Sequence, residues 1–404
     1  MNTTETAPPP PAAAEPHGRR LLTILSSKGF QGSITFLAFL AVFAVFSVWL
    51  GSQFFSVDAR FLDIHQSTPV LLLGLAVLVT LIAGQFDLSV ASMATLTTFL
   101  AIGLKIDQDW PFALVLVACL AIGVIGGLIN GLLVVGLRVN TFIATLGTGG
   151  VFVGLSSVYS GGTQLSPTPD THPLPSWFTG AGSFGSFAEK IPAWIVWIAF
   201  AGCLVAFFLW LRARRPAGRP EAAWTAISAA IVLAVALVLI FPVDIGTAIG
   251  AFSWTMGLLI AVAFALWVLL GYTTYGRYLH ATGANPSAAR LAGVRPGRET
   301  VKAFVLGGVL AALAGIALAA NQGSAAPDVA VGFLLPAFAA AFLSTVILST
   351  GHFTVWGTVI GGTFLVWVSQ GLIVGGVPFT WTNVVNGLVL TLAVALSTIF
   401  RRRS

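Results

Sequence analysis

The sequence predicts an all-α polytopic membrane protein, a helical bundle of about twelve transmembrane helices with one short cytoplasmic helix attached. Three observations predict it. Hydrophobic residues make up 57% of the chain and charged residues only 8%, with a mean hydropathy of +0.96, a balance that no ordinary soluble domain shows. The apolar residues gather in continuous runs of about 20, the length that crosses hydrocarbon as a helix. These runs do not alternate, as the strands of a membrane barrel must, so the backbone groups in lipid are satisfied within helices.

Taken in order, residues 1–30 form a cytoplasmic tail expected to be disordered, Pro-, Ala- and Thr-rich at its start. Residues 31–400 form the transmembrane domain, and 401–404 are a basic C-terminal tail. Spans are expected near 34–56, 67–84, 88–105, 112–137, 142–160, 190–211, 222–242, 250–271, 299–320, 333–350, 352–376 and 383–400. The first run exceeds the apolar core of a signal peptide, and no convincing small-residue cleavage site follows it. The second and third spans are separated only by "GQFDLS", a broken helix or a tight re-entrant turn. The external loop 161–189 is rich in Pro, Gly, Ser and Thr. A basic linker, "RARRPAGRPE", follows the sixth span. The longest polar internal loop is 272–298, and "NQGSAAPDVAVG", 321–332, is expected outside.

Charge sets the orientation. With the N-terminus inside, the internal loops hold Arg19, Arg20, Lys28, Arg138, the arginines of 212–219, Arg277, Arg290, Arg295, Arg298, Lys302 and Arg401 to Arg403. The external loops hold only Arg60, Lys105 and Lys190. The positive-inside rule therefore places both termini in the cytoplasm. The net charge of +6 is read as this orientation signal, and no nucleic-acid partner is implied.

Within the internal loop, "GANPSAARLAG" reads as one short capped helix. Asn285 is the N-cap, Pro286 suits the first turn, Ser287 to Ala292 tolerate helix, and Gly293 can close the end in a left-handed turn. An interfacial segment held to anionic lipid by Arg290 and Arg295 is the plainer reading. The glycine and proline punctuation favours a rigid knob.

Candidate chemistry is sparse. His17, His65, His172, His280 and His352 have no metal-ligand spacing. Cys119 and Cys203 fall in apolar runs and read as buried thiols. No G-x-x-x-x-G-K-[ST] loop is present, so if nucleotide energy is used a partner must bring it. Asp87, between apolar segments, is a functional candidate by its depth; the plainer reading makes it the N-cap of a helix starting at Leu88. Asn130, Asn140, Gln370, Asn383 and Asn386 read first as bridges between helices. Trp49, Trp110, Trp177, Trp210, Trp224 and Trp381 read as interfacial anchors. Gly123, Gly127 and Gly131, and likewise Gly357 and Gly361, recur at helical spacing and mark close helix packing.

"YGRYLHATGANPSAARLAGV" closely resembles the cytoplasmic coupling loop of bacterial ABC-importer permeases of the ribose/xylose/galactose type. "GQFDLSVASM" resembles the family's G-x-x-DLS-x-G-S stretch, and "LRVNTFIATLGTGGVFVGLSSVYSGGT", "LGGVLAALAGI" and "VVNGLVLTLAVAL" follow in the family's order. The family commonly has about ten spans. The added linker and span here resemble the xylose-type branch, a core plus an inserted pair. "LSTVILSTGHFTVWGT" stands where sugar permeases usually carry a Gly-rich run.

The resemblance implies a multi-pass permease subunit in the bacterial plasma membrane. It implies pairing with a second permease chain as a homo- or heterodimer, a cytoplasmic ATP-binding subunit and an extracytoplasmic solute-binding protein. The chain itself would bind no cofactor, with ATP used by the partner, and would not be an enzyme. Coupling falls to Gly276, Arg277, Gly283, Asn285, Ala288, Ala289, Arg290, Leu291 and Gly293. Asp87, Leu88 and Ser89 match the DLS stretch, with Asp87 and Ser89 as gating or helix-cap candidates. The implied solute is a monosaccharide; a nucleoside, a sugar alcohol or an autoinducer-like sugar derivative are alternatives. An ion- or proton-coupled secondary transporter is the rival class, but it should show similar halves and intramembrane carriers. A membrane-bound enzyme lacks a set of polar catalytic residues.

Overall fold

The computed structural model describes residues 44–51, 54, 56–186, 250–347, 352–388 and 391. The named helices are α1 (Val57–Ile82), α2 (Val90–Ile106), α3 (Phe112–Val135), α4 (Thr141–Ser160), α5 (Ser176–Ala181), α6 (Trp254–Tyr272), α7 (Thr274–Ala284), α8 (Pro286–Leu291), α9 (Pro296–Gln322), α10 (Leu334–Ile347) and α11 (Val355–Val374). Six of these, α1, α3, α4, α6, α9 and α11, are long and apolar enough to cross a membrane, and α2 and α10 lie in shorter apolar stretches. The chain is thus a polytopic helical bundle. The spans expected at 190–211 and 222–242 lie outside the described residues, as do most of 34–56 and the end of 383–400.

Two helices occupy the centre. In α1 and α9, 78% of the most apolar window is buried, against 33% in α3, α4 and α6 and 39% in α11. The run Leu71–Ile82 of α1 is apolar but for Thr80, whose hydroxyl donates to the Val77 carbonyl, and a helix of that kind is stable only when surrounded. Helix α9 achieves burial by a different route. Its Ala303, Gly307, Gly308, Ala311, Ala312, Ala314 and Gly315 are buried and so small that α1, α2 and α3 can all cross it closely. At the α3 crossing a Cβ on Gly127 would overlap the Phe304 carbonyl, and one on Gly123 would lie 2.6 Å from the Gly308 oxygen. The glycine periodicity of α3 is a packing face.

Helix α1 starts ten residues before the span expected at 67–84, and 57–66 is helix where an external loop was expected. Charge hid it. Arg60 and Asp63 are both buried but pair at 3.0 Å, and Arg60 also lies 4.3 Å from the Phe54 ring centre. His65 Nδ1 shares a hydrogen bond with Ser253 Oγ at 2.8 Å. Paired charges can enter a bundle that isolated ones cannot. Pro69 within α1 has no N–H to offer the His65 carbonyl one turn back. The amide Nδ2 of Asn321, at the end of α9, donates to that carbonyl at 3.1 Å instead.

On the face carrying the loop after α4, Leu165 and Ala325 form an isolated antiparallel bridge that ties it to the loop after α9. The short helix α5 sits within the same loop, its Phe178 buried.

Candidate functional site

Two features share one end of the bundle: a short protruding helix and a break between α1 and α2. The protruding helix is α8. Asn285 Oδ1 accepts from the N–H groups of Ser287 and Ala288, both at 3.0 Å, so two otherwise unpaired donors are satisfied. Pro286 occupies the first turn. Gly293, at φ +82°, closes the far end, with its N–H bonded to the Arg290 carbonyl at 3.0 Å and the Val294 N–H bonded to Ala289 at 3.0 Å. A helix of one and a half turns does not persist alone; caps at both ends and a buried underside hold this one. Ala289 faces inward, while Asn285, Ala288, Arg290 and Gly293 are exposed and Leu291 is 92% exposed. Leu291 is thus an apolar side chain left almost wholly bare on a capped helix.

The peg is braced through α7. Thr273 caps α7 by accepting from the Gly276 N–H at 3.4 Å, and a Cβ on Gly276 would overlap the Leu270 carbonyl. The turn between α6 and α7 therefore admits no side chain there. Arg277 points away, exposed. At the other end of α7 a Cβ on Gly283 would overlap the Ile82 carbonyl, at the last turn of α1. Burial raises the Tyr275 phenol above its ordinary range, with the Glu299 charge adding to it. Burial lowers the His280 imidazole, and His352 repulsion adds to that.

The break follows Ile82 directly. Helix α2 begins at Val90, two residues later than a cap by Asp87 would require, and Ser89 holds the N-cap position without a side-chain cap bond. Asp87 is 1% exposed. Its Oδ1 accepts from the Ser89 N–H at 2.9 Å and the Ser89 hydroxyl at 2.6 Å. Ser89 Oγ in turn accepts from Asn130 Nδ2 at 2.7 Å, and Asn130 Oδ1 accepts from the Thr148 hydroxyl at 2.6 Å. The Leu88 N–H donates to Thr145 Oγ1 at 3.1 Å. Open backbone at membrane depth survives only where protein groups satisfy it; Thr145 of α4 and Asp87 itself serve that backbone, while Asn130 of α3 holds the Ser89 side chain. Phe86 completes the anchorage, stacking on Phe142 of α4 at 5.1 Å and on Phe338 of α10 at 6.1 Å.

The structure thus brings Gly283 next to the break that carries Asp87 and Ser89, and draws Asn130 into the same network. Asn140 instead caps α4, accepting from the Phe142 N–H at 2.9 Å. Asn386 is buried, Gln370 half-buried and Asn383 exposed, all away from these bonds. Trp49, Trp110, Trp177 and Trp381 are exposed. Cys119 is a buried free thiol. Cys203, Trp210 and Trp224 lie outside the described residues. Among the described residues no group of His, Cys, Asp and Glu is placed to hold a metal. Sequence reasoning missed Thr145 and Thr148, although with Thr141 they recur at helical spacing on one face of α4. It also missed the cluster of His65, Ser253, Thr255 and Asn321 between α1, α6 and α9.

The profile of the family described as the branched-chain amino acid transport system permease component matches residues 63–394. The chain is similar to the ribose import permease protein of Escherichia coli K12, 29% identical over 85% of this chain and 87% of that one. It is also similar to the autoinducer 2 import system permease protein of Salmonella typhimurium LT2, 28% identical over 84% of this chain and 78% of that one. No solved structure gives a significant match.

Proposed function

The chain belongs to the permease-component family of ABC importers matched over residues 63–394, and from that premise we infer that it moves a small polar solute, a monosaccharide before other classes, across the plasma membrane. Both relatives named above are import permeases, one for ribose and one for autoinducer 2. The energy comes from a separate cytoplasmic ATP-binding subunit. A second permease chain and an extracytoplasmic solute-binding protein complete the machine, with both termini of this chain cytoplasmic. The observation that carries the reading is the capped peg: α8, with Leu291 and Arg290 presented and Ala289 buried, joined through Gly283 to the end of α1.

In this mechanism the peg is gripped by the ATP-binding subunit. Nucleotide-driven closure displaces α8, α7 carries the displacement to Ile82, and the break at 83–89 is where α1 and α2 can change their angle. The buried Asp87–Ser89–Asn130–Thr148 chain gives that break a defined resting geometry. Access then alternates by rigid-body rearrangement between two packed states. No bond of the solute is made or broken.

The test is co-purification and uptake. Arg290→Glu and Leu291→Asp, both at exposed positions, should leave membrane insertion intact and weaken capture of the ATP-binding subunit by roughly tenfold or more, as loss of a central anchor does. Uptake should fall in parallel. Unchanged capture and uptake in both variants, or uptake that follows the proton gradient without any ATP-binding subunit, would reject the reading.

A further inference from the structure

Beside the peg, at the same end of the bundle, lies a cavity of about 650 Å³ where the last turn of α3 meets the first turns of α9. Four cations border it, Arg290, Arg295, Arg298 and Lys302, while Val135 and Val301 belong to its apolar wall. The acid in the same turn, Glu299, is buried and paired with Lys302 at 2.8 Å. Arg290, Arg295 and Arg298 enter no ion pair among the described residues. Uncompensated positive charge therefore surrounds an apolar floor at the level where two membrane helices begin and end.

A soluble anion would answer the charge and leave the floor wet. The outer face of α3 points to an occupant with a tail. Val124, Leu128 and Leu132 are 40%, 40% and 53% exposed, and with Val135 they follow at intervals of four, four and three, which is one helical face. This stripe runs from the cavity toward the bilayer centre for about 16 Å, at about 1.5 Å per residue, much of the length of an acyl chain. An acidic segment of a cytoplasmic partner would meet the arginines but leave the stripe bare.

We propose that this cavity holds the phosphate-bearing headgroup of an anionic phospholipid of the cytoplasmic leaflet, with an acyl chain lying along α3. The proposal rests on the inward orientation of α8 given under the proposed function. Basic pockets between membrane helices on the cytoplasmic side suit such headgroups. The lipid would fill the corner between the peg and the membrane, beside the surface on which the ATP-binding subunit works.

The experiment is native mass spectrometry of the full chain in detergent, with phosphatidylglycerol or phosphatidylcholine of the same acyl chains added. Phosphatidylglycerol should be retained at least about tenfold better, since each cation near a charged headgroup is worth roughly a factor of five. Arg295→Gln with Arg298→Gln should remove that preference, and Arg295→Lys with Arg298→Lys should keep most of it. Both pairs are exposed, and a monodisperse elution profile checks folding. Equal retention of the two lipids by the wild-type chain overturns the proposal. So does a preference that survives the glutamine pair, or one abolished by inorganic phosphate at no more than the lipid's own concentration, which would mark a site for the free anion. If the glutamine pair instead loses the ATP-binding subunit while the wild type shows no lipid preference, the cavity seats an acidic protein segment. A wild-type chain that captures its ATP-binding subunit without lipid preference sinks the lipid site alone. One with the preference but no such capture sinks the import reading alone.

Discussion

Pro69 and Asn321 stand far apart in the chain, yet each explains the other. A proline inside a helix leaves one carbonyl without its donor, and where neighbouring helices pack over it a side chain must supply one. Asn321 Nδ2 fills that role for the His65 carbonyl at 3.1 Å. Asn321→Leu should lower stability by about 1–3 kcal/mol, the cost of a buried acceptor left unpaired. Adding Pro69→Ala restores a donor within α1 and should recover much of the loss. The four thermal midpoints of the double-mutant cycle check this, and strict additivity would show that the two residues do not communicate. Neither residue announced itself in the sequence, because a proline in an apolar run and an asparagine near a loop each have many ordinary explanations. Asp87 was different: one acid amid apolar neighbours cannot be overlooked. Ser89, two residues on, and Asn130 were in view as well, but that Asn130 and Thr148 extend the chain from Ser89 shows only after α2, α3 and α4 have packed.

Among the elements, the pairing of α3 with α9 shows what small residues do in lipid, where burial from water no longer drives helices together. At Gly127 an added methyl would meet the backbone of Phe304 and Val305; at Gly126 it would meet the terminal carbon of Met93 and the edge of Phe152. Backbone cannot step aside, whereas a methionine end can. Gly127→Ala should therefore cost about 1–3 kcal/mol by forcing the helices apart, and Gly126→Ala distinctly less. Thermal melting of both purified variants in detergent checks the order, and equal losses would contradict it. Most helices were legible because each is a run of about 20 apolar residues. The ends of α3 and α4 fall within a few residues of expectation for that reason. The start of α1 was not legible. A hydropathy window charges Arg60, Asp63 and His65 the full price of desolvation and cannot see that they are partnered. The capped form of α8 was readable because Asn285, Pro286 and Gly293 act locally.

For the molecule as a whole, the question is how displacement at the peg reaches the interior. The close approach of Gly283 to the Ile82 carbonyl leaves no slack between α7 and α1. Gly283→Ala should cost roughly 1–3 kcal/mol of stability by overpacking. It should leave capture of the ATP-binding subunit near normal, because the exposed surface of α8 is untouched. Uptake should fall far more than capture does. Measured side by side, equal losses of both would mean that position 283 serves docking and not transmission. No reading of the sequence could have found this junction, since Gly283 and Ile82 meet only through the path of α6 and α7.

The central pair α1 and α9 is solvated by protein, whereas only 33% of the apolar window is buried in α3, α4 and α6 and 39% in α11. A bilayer of different thickness acts on whatever touches it, by tilting or bending the outermost segments. Here such a change would fall first on the rim. Asn130 of α3 and Thr148 of α4 tie Asp87 and Ser89 to that rim, so the thickness of the surrounding membrane becomes an input to the geometry of the buried break.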